Sequence, residues 1–337
     1  MAALPSFQCR YSRNRLAPRA RRRFNCCCMV KSAKRVLYFF AIGLVVVAGM
    51  ASYLFFRFAR PEGHGPAGPT VKRELFSSAW TNRKVLLVGL GDSVTAGFGA
   101  RKGYSYFDRL VKNPEDEFAE MKGICLTSVL PGIHFTNCSM SGSTSSEVPQ
   151  RQINLLPTNP PDVFGIIVIT TGGNDLIHNY GRTPPREEAM YGATMDEAKP
   201  WVNNFAQRLG STMKQVEARF PGGYEIFLAN IFDPTDGIGD ADRAGLPVWK
   251  ESIQILDAYN SVIAQMAQAD PRVHIVDVHK AFLGHGIHCT QFWQDHFDWH
   301  DPHYWYFYNL EDPNERGYDV IRRLFLLEIA KARDEIK

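Results

Sequence analysis

The sequence predicts an α/β domain, with a parallel sheet covered by helices on both faces, preceded by one apolar helix. Three observations predict it. Five apolar runs of strand length follow residue 83, at 84–90, 132–140, 162–171, 224–232 and 272–279. They lack clean polar alternation, as strands buried on both faces do. Segments with apolar residues at three- and four-residue steps separate the later runs and follow the last. Strands alternating with helices imply right-handed crossovers and a parallel sheet.

The N-terminal region comes first in chain order. Much of the Lys and Arg excess lies in residues 1–35, although the net charge of the chain is only +3. A basic arm for RNA is one reading of it. The next segment explains it better, and no nucleic-acid partner is expected. Residues 36–56, VLYFFAIGLVVVAGMASYLFF, carry no charge. A bilayer core needs roughly 20 apolar residues in a helix. The apolar region of a cleaved signal is shorter, about 7–15 residues. The run therefore reads as an uncleaved signal anchor. Lys and Arg ahead of the span place the N-terminus in the cytoplasm and the body outside it. The expected arrangement is a single-pass membrane protein with an extracytoplasmic catalytic domain. Met29 opens a more conventional leader, so residues 1–28 are either an over-extended start or a tail. Residues 57–82, rich in Pro, Gly and charge, read as a linker. The body is 83–337. It holds three cysteines, Cys125, Cys138 and Cys289, which allow at most one bridge.

Within the body, Thr194 with Glu197 forms a capping box. Trp201, Phe205, Leu209, Met213, Val216 and Phe220 then mark one face of a helix. Residues 247–269 and 314–336 read as two more helices. Such sheets bind ligands at the carboxyl ends of their strands. The first run ends there on Gly91-Asp92-Ser93. A serine hydroxyl becomes a nucleophile when a base takes its proton, and the resulting oxyanion needs donors. The third run ends on Gly172-Gly173-Asn174, which places an amide donor at the same edge. After the second run comes Gly142, which offers a bare backbone N–H.

These blocks resemble the SGNH hydrolase family, the GDSL esterases and lipases. Gly91-Asp92-Ser93 with Thr95 and Gly97 is similar to its first block, Asn137–Gly142 with Thr144 to its second, and Gly172, Asn174 and Asp175 to its third. The resemblance implies a three-layer α/β/α sandwich with a five-stranded parallel sheet, flavodoxin-like and of SGNH type. It implies Ser93 as nucleophile, with the Ser93 and Gly142 N–H groups and the Asn174 side chain as the oxyanion hole.

The fourth block departs from the pattern. The family ends on an Asp, two residues, a His, then Pro and often Asn. This chain has Asn309 where the Asp is expected and Asp312 where the His is expected, before Pro313-Asn314. The base is then sought in the loop just upstream. His303 with Asp301 is the expected pair, and His300 with Asp298 the second choice. The same loop holds His285, His288, Cys289 and His296 among acids and aromatics. Imidazole and carboxylate at short spacing can bind zinc. No strict ligand motif is present, and the aromatics suggest a lid or a sugar platform. No metal and no other cofactor is expected. Residues 232–245 are similar in composition to a calcium loop but lack EF-hand spacing, and read as a flexible rim.

The expected function is a membrane-anchored serine hydrolase that cleaves a carboxylic ester through an acyl-enzyme on Ser93. The substrate is a small-molecule, carbohydrate or lipid ester. O-acyl transfer to a cell-surface polysaccharide by the same site is one alternative. A non-catalytic ectodomain that binds carbohydrate or metal is the other.

Overall fold

A computed structural model describes residues 26–337, with side chains from Lys34 onward. The basic segment before residue 26 lies outside the described residues. Helix α1 spans Cys26–Phe58. Its part from Lys34 to Phe58 has a mean hydropathy of 2.2 and is long and apolar enough to cross a membrane. The chain divides into two compact units between Tyr53 and Leu54.

The second unit is built on five parallel strands in the order β2-β1-β3-β4-β5. They are β1 (Lys84–Gly91), β2 (Ile133–Asn137), β3 (Val163–Thr170), β4 (Tyr224–Ala229) and β5 (Val273–Val276). Short helices α2 (Ser93–Ala96), α3 (Tyr106–Val111) and α4 (Leu126–Val129) fall between β1 and β2. Helix α5 (Gly173–Ile177) follows β3, and α6 (Met195–Arg219) leads to β4. Helix α7 (Ser252–Ala269) leads to β5 and α8 (Val278–Phe282) leaves it. Helices α9 (Glu315–Lys331) and α10 (Arg333–Ile336) end the chain.

The period-two geometry of a strand sends alternate side chains to opposite faces. Val85 and Leu87 of β1, with Ile166 and Val168 of β3, pack against Tyr106, Ile321 and Phe325 of α3 and α9. Val88, Leu90, Ile167 and Ile169 pack on the other face against Phe205, Leu209 and Val216 of α6 and Tyr259 of α7. Hence the runs read as continuously apolar, and the three-layer α/β/α reading holds. The expected box on α6 is present: Thr194 accepts from Glu197 N and Glu197 from Thr194 N. The fifth run is cut short at Val276, because Asp277 caps α8 by accepting from Lys280 N.

The Pro- and Gly-rich stretch expected as a linker instead lies on the body. Ala67, Val71 and Phe76 are buried in the α3–α9 core. Arg316 donates to the carbonyls of His64 and Gly65, and Ala67 N donates to Asp319. Its few apolar residues suffice because α9 offers them a fixed surface. Cys125, Cys138 and Cys289 are free thiols.

Helix α9 is fixed by buried charge. Glu117 pairs with Arg109 (2.6 Å) and Arg322 (2.5 Å), and Asp319 pairs with Arg322 and Arg323. Burial pushes the Glu117 carboxyl up, but the two arginines outweigh it and pull it down to about 2. Glu117→Gln leaves three guanidiniums, those of Arg109, Arg322 and Arg323, around the one buried acid Asp319. It is expected to destabilise the fold by roughly 3–5 kcal/mol, the cost of breaking a buried pair, and urea unfolding at pH 7 measures this.

Candidate functional site

The site begins with a close approach. A Cβ on Gly91 would lie 1.7 Å from the Thr170 carbonyl oxygen, and Gly91 has φ +113°. Only glycine ends β1 this way. The chain then turns, and Asp92 caps α2 by accepting from Val94 N. Thr170 Oγ1 donates to the same carboxylate at 2.6 Å. Burial pushes the Asp92 carboxyl up to about 7, opposed by those hydrogen bonds and assisted by the charge of Asp312. Ser93, the first residue of α2, is 9% exposed.

Ser93 lines an apolar cavity of about 140 Å³ with Asn174. Leu176, Ile177, Ile231, Trp249 and Leu256 form much of its wall. Asn174 Nδ2 donates to the Ser143 carbonyl at 2.9 Å, which ties α5 to the loop after β2. Asp175 clamps the same loop, accepting from Ser145 N (2.8 Å) and Ser145 Oγ (2.5 Å). Burial pushes its carboxyl up to about 6 against those bonds. Gly142 stands in that loop at φ +80°, with open space where a Cβ would go. It is exposed and outside the cavity lining. Among the described residues its N–H and that of Ser93 have no hydrogen-bond acceptor.

Two residues that sequence reasoning missed hold this edge. Gln152 accepts from Gly91 N (2.7 Å) and donates to Gly91 O (2.8 Å) and Ser143 Oγ (2.9 Å). Arg208 of α6 donates to Ser145 Oγ and Asp175. Neither has a local sequence signal, because Gln152 reaches Gly91 across 61 residues of chain and Arg208 reaches Ser145 and Asp175 across 63 and 33.

The histidines are not where the sequence reading expects them. Among the described residues, no histidine lines the Ser93 cavity. His303 does pair with Asp301, and Arg316 holds the same carboxylate. Yet the His303 ring packs over Gly63 and lines a separate depression with Arg101, Glu315 and Arg316. Backbone hydrogen bonds hold the loop in that place. Tyr304 N donates to Pro61 O (2.7 Å), and Trp305 N to His285 O (3.0 Å). The second pair is also elsewhere: the His300 side chain is 99% exposed, 3.6 Å from Asp298. His303, Asp301, His300 and Asp298 are therefore corrected as partners of Ser93.

Two other histidines of the loop have structural roles. His285 stacks on Trp305, 3.3 Å between centroids, and His288 pairs with Asp240. Phe292 and Trp293 pack edge-on against Phe56. Among the described residues no three His, Cys, Asp or Glu side chains converge as a metal site. The acidic loop at 232–245 is braced. Asp236 accepts from the N–H groups of Gly284, Gly286 and His288.

What stands beside Ser93 is the segment 309–312. Leu310 and Glu311 line the cavity. Asp312 is buried, 2% exposed, and its Oδ2 accepts from Asn309 Nδ2 at 2.7 Å. Burial pushes its carboxyl up, while the Ser93 hydroxyl and the Asn309 amide hold it down. Its Oδ1 is buried and closes no bond of full hydrogen-bond geometry. Leu310 has φ +67°, a conformation that costs a branched residue energy and clusters at functional sites. Asn314 locks the segment's end, accepting from Arg316 N and Gly317 N as the cap of α9.

A family model described as GDSL-like Lipase/Acylhydrolase matches residues 90–320. A comparison with curated proteins finds no match. Among solved structures, an extracellular lipase from Streptomyces rimosus is similar at 18% identity, over 73% of this chain and 99% of that one, with a TM-score of 0.47. An acetylxylan esterase from Geobacillus stearothermophilus is 20% identical over 74% and 94%, with a TM-score of 0.45. A phospholipase A1 from Streptomyces albidoflavus NA297 is 21% identical over 73% and 98%, with a TM-score of 0.41.

The raised acids have a consequence for stability. Asp92 binds a proton near pH 7 when folded and near its ordinary 3.8 when unfolded. Between those values the folded state holds more protons, so stability falls as pH rises through that window. Asp175 and Asp236, each at about 6, act in the same direction. The melting temperature is expected to be higher at pH 5.5 than at pH 7.5. Asp92→Asn, which keeps an acceptor for Val94 and Thr170, is expected to shrink that difference in a calorimetric scan.

Proposed function

The chain belongs to the GDSL-like lipase/acylhydrolase family, a family of ester-hydrolysing enzymes, and from that premise we propose that it cleaves a carboxylic ester through an acyl-enzyme on Ser93. One observation carries the reading: Ser93 and Asn174 meet in one apolar cavity at the carboxyl edge of the sheet. Ser93 Oγ attacks the acyl carbon and the leaving alcohol departs. Water then releases the acid. The Asn174 amide and the free Ser93 and Gly142 N–H groups are the donors for the oxyanion. An apolar wall suits a hydrocarbon acyl group better than a sugar, so hydrolysis of an ester with an aliphatic acyl chain is favoured over transfer to a polysaccharide. Helix α1 anchors the enzyme in a membrane, and the charge excess before it keeps the body outside the cytoplasm.

Ser93→Ala is expected to abolish both ester turnover and labelling by a fluorophosphonate, with an unchanged circular dichroism spectrum. Asn174→Ala is expected to lower kcat by roughly 10²–10³, the usual effect of losing one oxyanion donor. Full turnover by Ser93→Ala would refute the reading.

Each buried methylene contributes about 0.8 kcal/mol. The p-nitrophenyl hexanoate ester is therefore expected to exceed the acetate in kcat/KM by about ten-fold or more. A preference for acetate would point the cavity away from the acyl chain.

Anchoring has its own measurement. The full chain is expected to stay in the membrane pellet after alkaline carbonate extraction, and a protease added outside intact cells is expected to reach the body. Release by carbonate would identify the apolar segment as a cleaved or peripheral one.

A further inference from the structure

We propose that Asp312 is the general base for Ser93 and that Asn309 is its positioning residue, so that the site works without histidine. This rests on the reading of Ser93 as nucleophile and names the partner that reading lacks.

The placement comes first. Among the described residues no histidine lines the cavity, and His303 lies elsewhere, over Gly63 and paired with Asp301, whose carboxylate also takes Arg316. Leu310 and Glu311, the two residues before Asp312, line the cavity with Ser93, and the Ser93 hydroxyl is among the groups that hold the Asp312 carboxyl down. The opposite oxygen is taken by Asn309 Nδ2. Asn309 Oδ1 in turn accepts from the N–H groups of Glu311 and Asp312 at 3.2 Å each. The amide is thus oriented by its own loop, with its NH2 toward Asp312. Oδ1 of Asp312 is left buried without a full partner, which is what a base needs before it accepts a proton.

The charge also fits. An aspartate with a neutral histidine carries −1, and so does a neutral asparagine with an ionised aspartate. The exchange at 309 and 312 keeps the charge beside the serine and moves it one group closer.

An ordinary carboxylate is a weak base for this task. Here the surroundings strengthen it. Burial disfavours its charged form, and no cation is among the groups that act on it. The titratable groups around it are Asp92 from the end of β1, Glu311 from its own loop and Tyr318 from α9. Asp92 and Glu311 are both pushed up to about 7, chiefly by burial.

The steps balance. As Ser93 Oγ bonds to the acyl carbon, its proton passes to Asp312 Oδ1. The bond from the acyl carbon to the alcohol oxygen breaks, and that oxygen takes the proton from Asp312. In the second half water gives a proton to Asp312 and its oxygen bonds to the acyl carbon. The bond to Ser93 Oγ breaks, and the proton returns to Ser93.

The test compares Ser93→Ala, Asp312→Asn, Asn309→Ala, His303→Ala and the double variant Asn309→Asp/Asp312→His on p-nitrophenyl hexanoate from pH 4 to 9. Asp312→Asn is expected to lose roughly 10²–10⁴ in kcat/KM, the span of general-base catalysis. His303→Ala is expected to match the parent. Removing the Asn309 donor raises the Asp312 pKa, so the acid limb of Asn309→Ala is expected to move to higher pH. A purely structural role for Asn309 would lower the rate without moving that limb. The double variant restores a histidine base and is expected to recover much of what Asp312→Asn loses, which also guards against a variant that fails to fold. Asp312→Asn active at the parental rate while Ser93→Ala is dead would overturn this proposal and leave the acyl-enzyme standing. A dead His303→Ala would return the base to the upstream loop. An active Ser93→Ala would remove the nucleophile and this proposal with it.

Discussion

The close approach of Gly91 to the Thr170 carbonyl is the constraint on which the site depends. β1 and β3 are neighbours in register from Lys84–Val163 to Gly91–Thr170. At their end the chain of β1 must turn away within a space that admits no Cβ. The turn is then held from both sides. Asp92 N donates to Thr170 O and the Asp92 carboxylate takes the Thr170 hydroxyl, while the Gln152 amide grips both backbone groups of Gly91. Ser93 is placed by backbone that three strands' worth of neighbours fix, so it needs no side-chain bond of its own to be held.

The other half of the site is placed from the opposite direction, by α9. A leucine at positive φ is costly and persists where its surroundings leave no alternative. Leu310 has such surroundings. Downstream, Asn314 caps α9, and Gly317 lies so near the Trp305 carbonyl that a Cβ would stand 2.3 Å from it. The helix itself is pinned by Glu117 and Asp319 among three arginines. Buried ion pairs are weak evidence for net stability, and fixing register is the best-attested use of buried polar groups. Here they fix where residues 309–312 stand relative to β1.

The architecture and half of the site were legible in the sequence for a common reason: both follow from local rules. Continuously apolar runs mark the strands, Thr194 and Glu197 mark a helix start, and Gly91, Gly172 and Asn174 mark strand ends directly. Residues whose roles depend on distant partners were not legible. Gln152 and Arg208 look like surface polar residues until the loop after β2 is closed on them. The stretch 57–82 has a linker's composition, and only α9 gives it a surface. His303 is near Pro313-Asn314 along the chain, but it does not line the Ser93 cavity. Tyr304 and Trp305 are buried and bonded to Pro61 and His285, and the imidazole packs over Gly63 in a separate depression.

A surface aspartate is ordinarily ionised and too short for this task. Burial raises the Asp312 carboxyl, and the fold brings its segment to the cavity that Ser93 lines. The identity of residue 309 follows from the same electrostatics. An aspartate there would set a second negative charge against Asp312, where burial already penalises the first. A histidine at 312 beside Asn309 would form an imidazolium with no acid to offset it. Each single change leaves the pair with one charge too many of either sign, so the two positions can be exchanged only together. Asn309 with Asp312 is thus one electrostatic unit, and what it presents to Ser93 is a single buried negative charge with room for one proton.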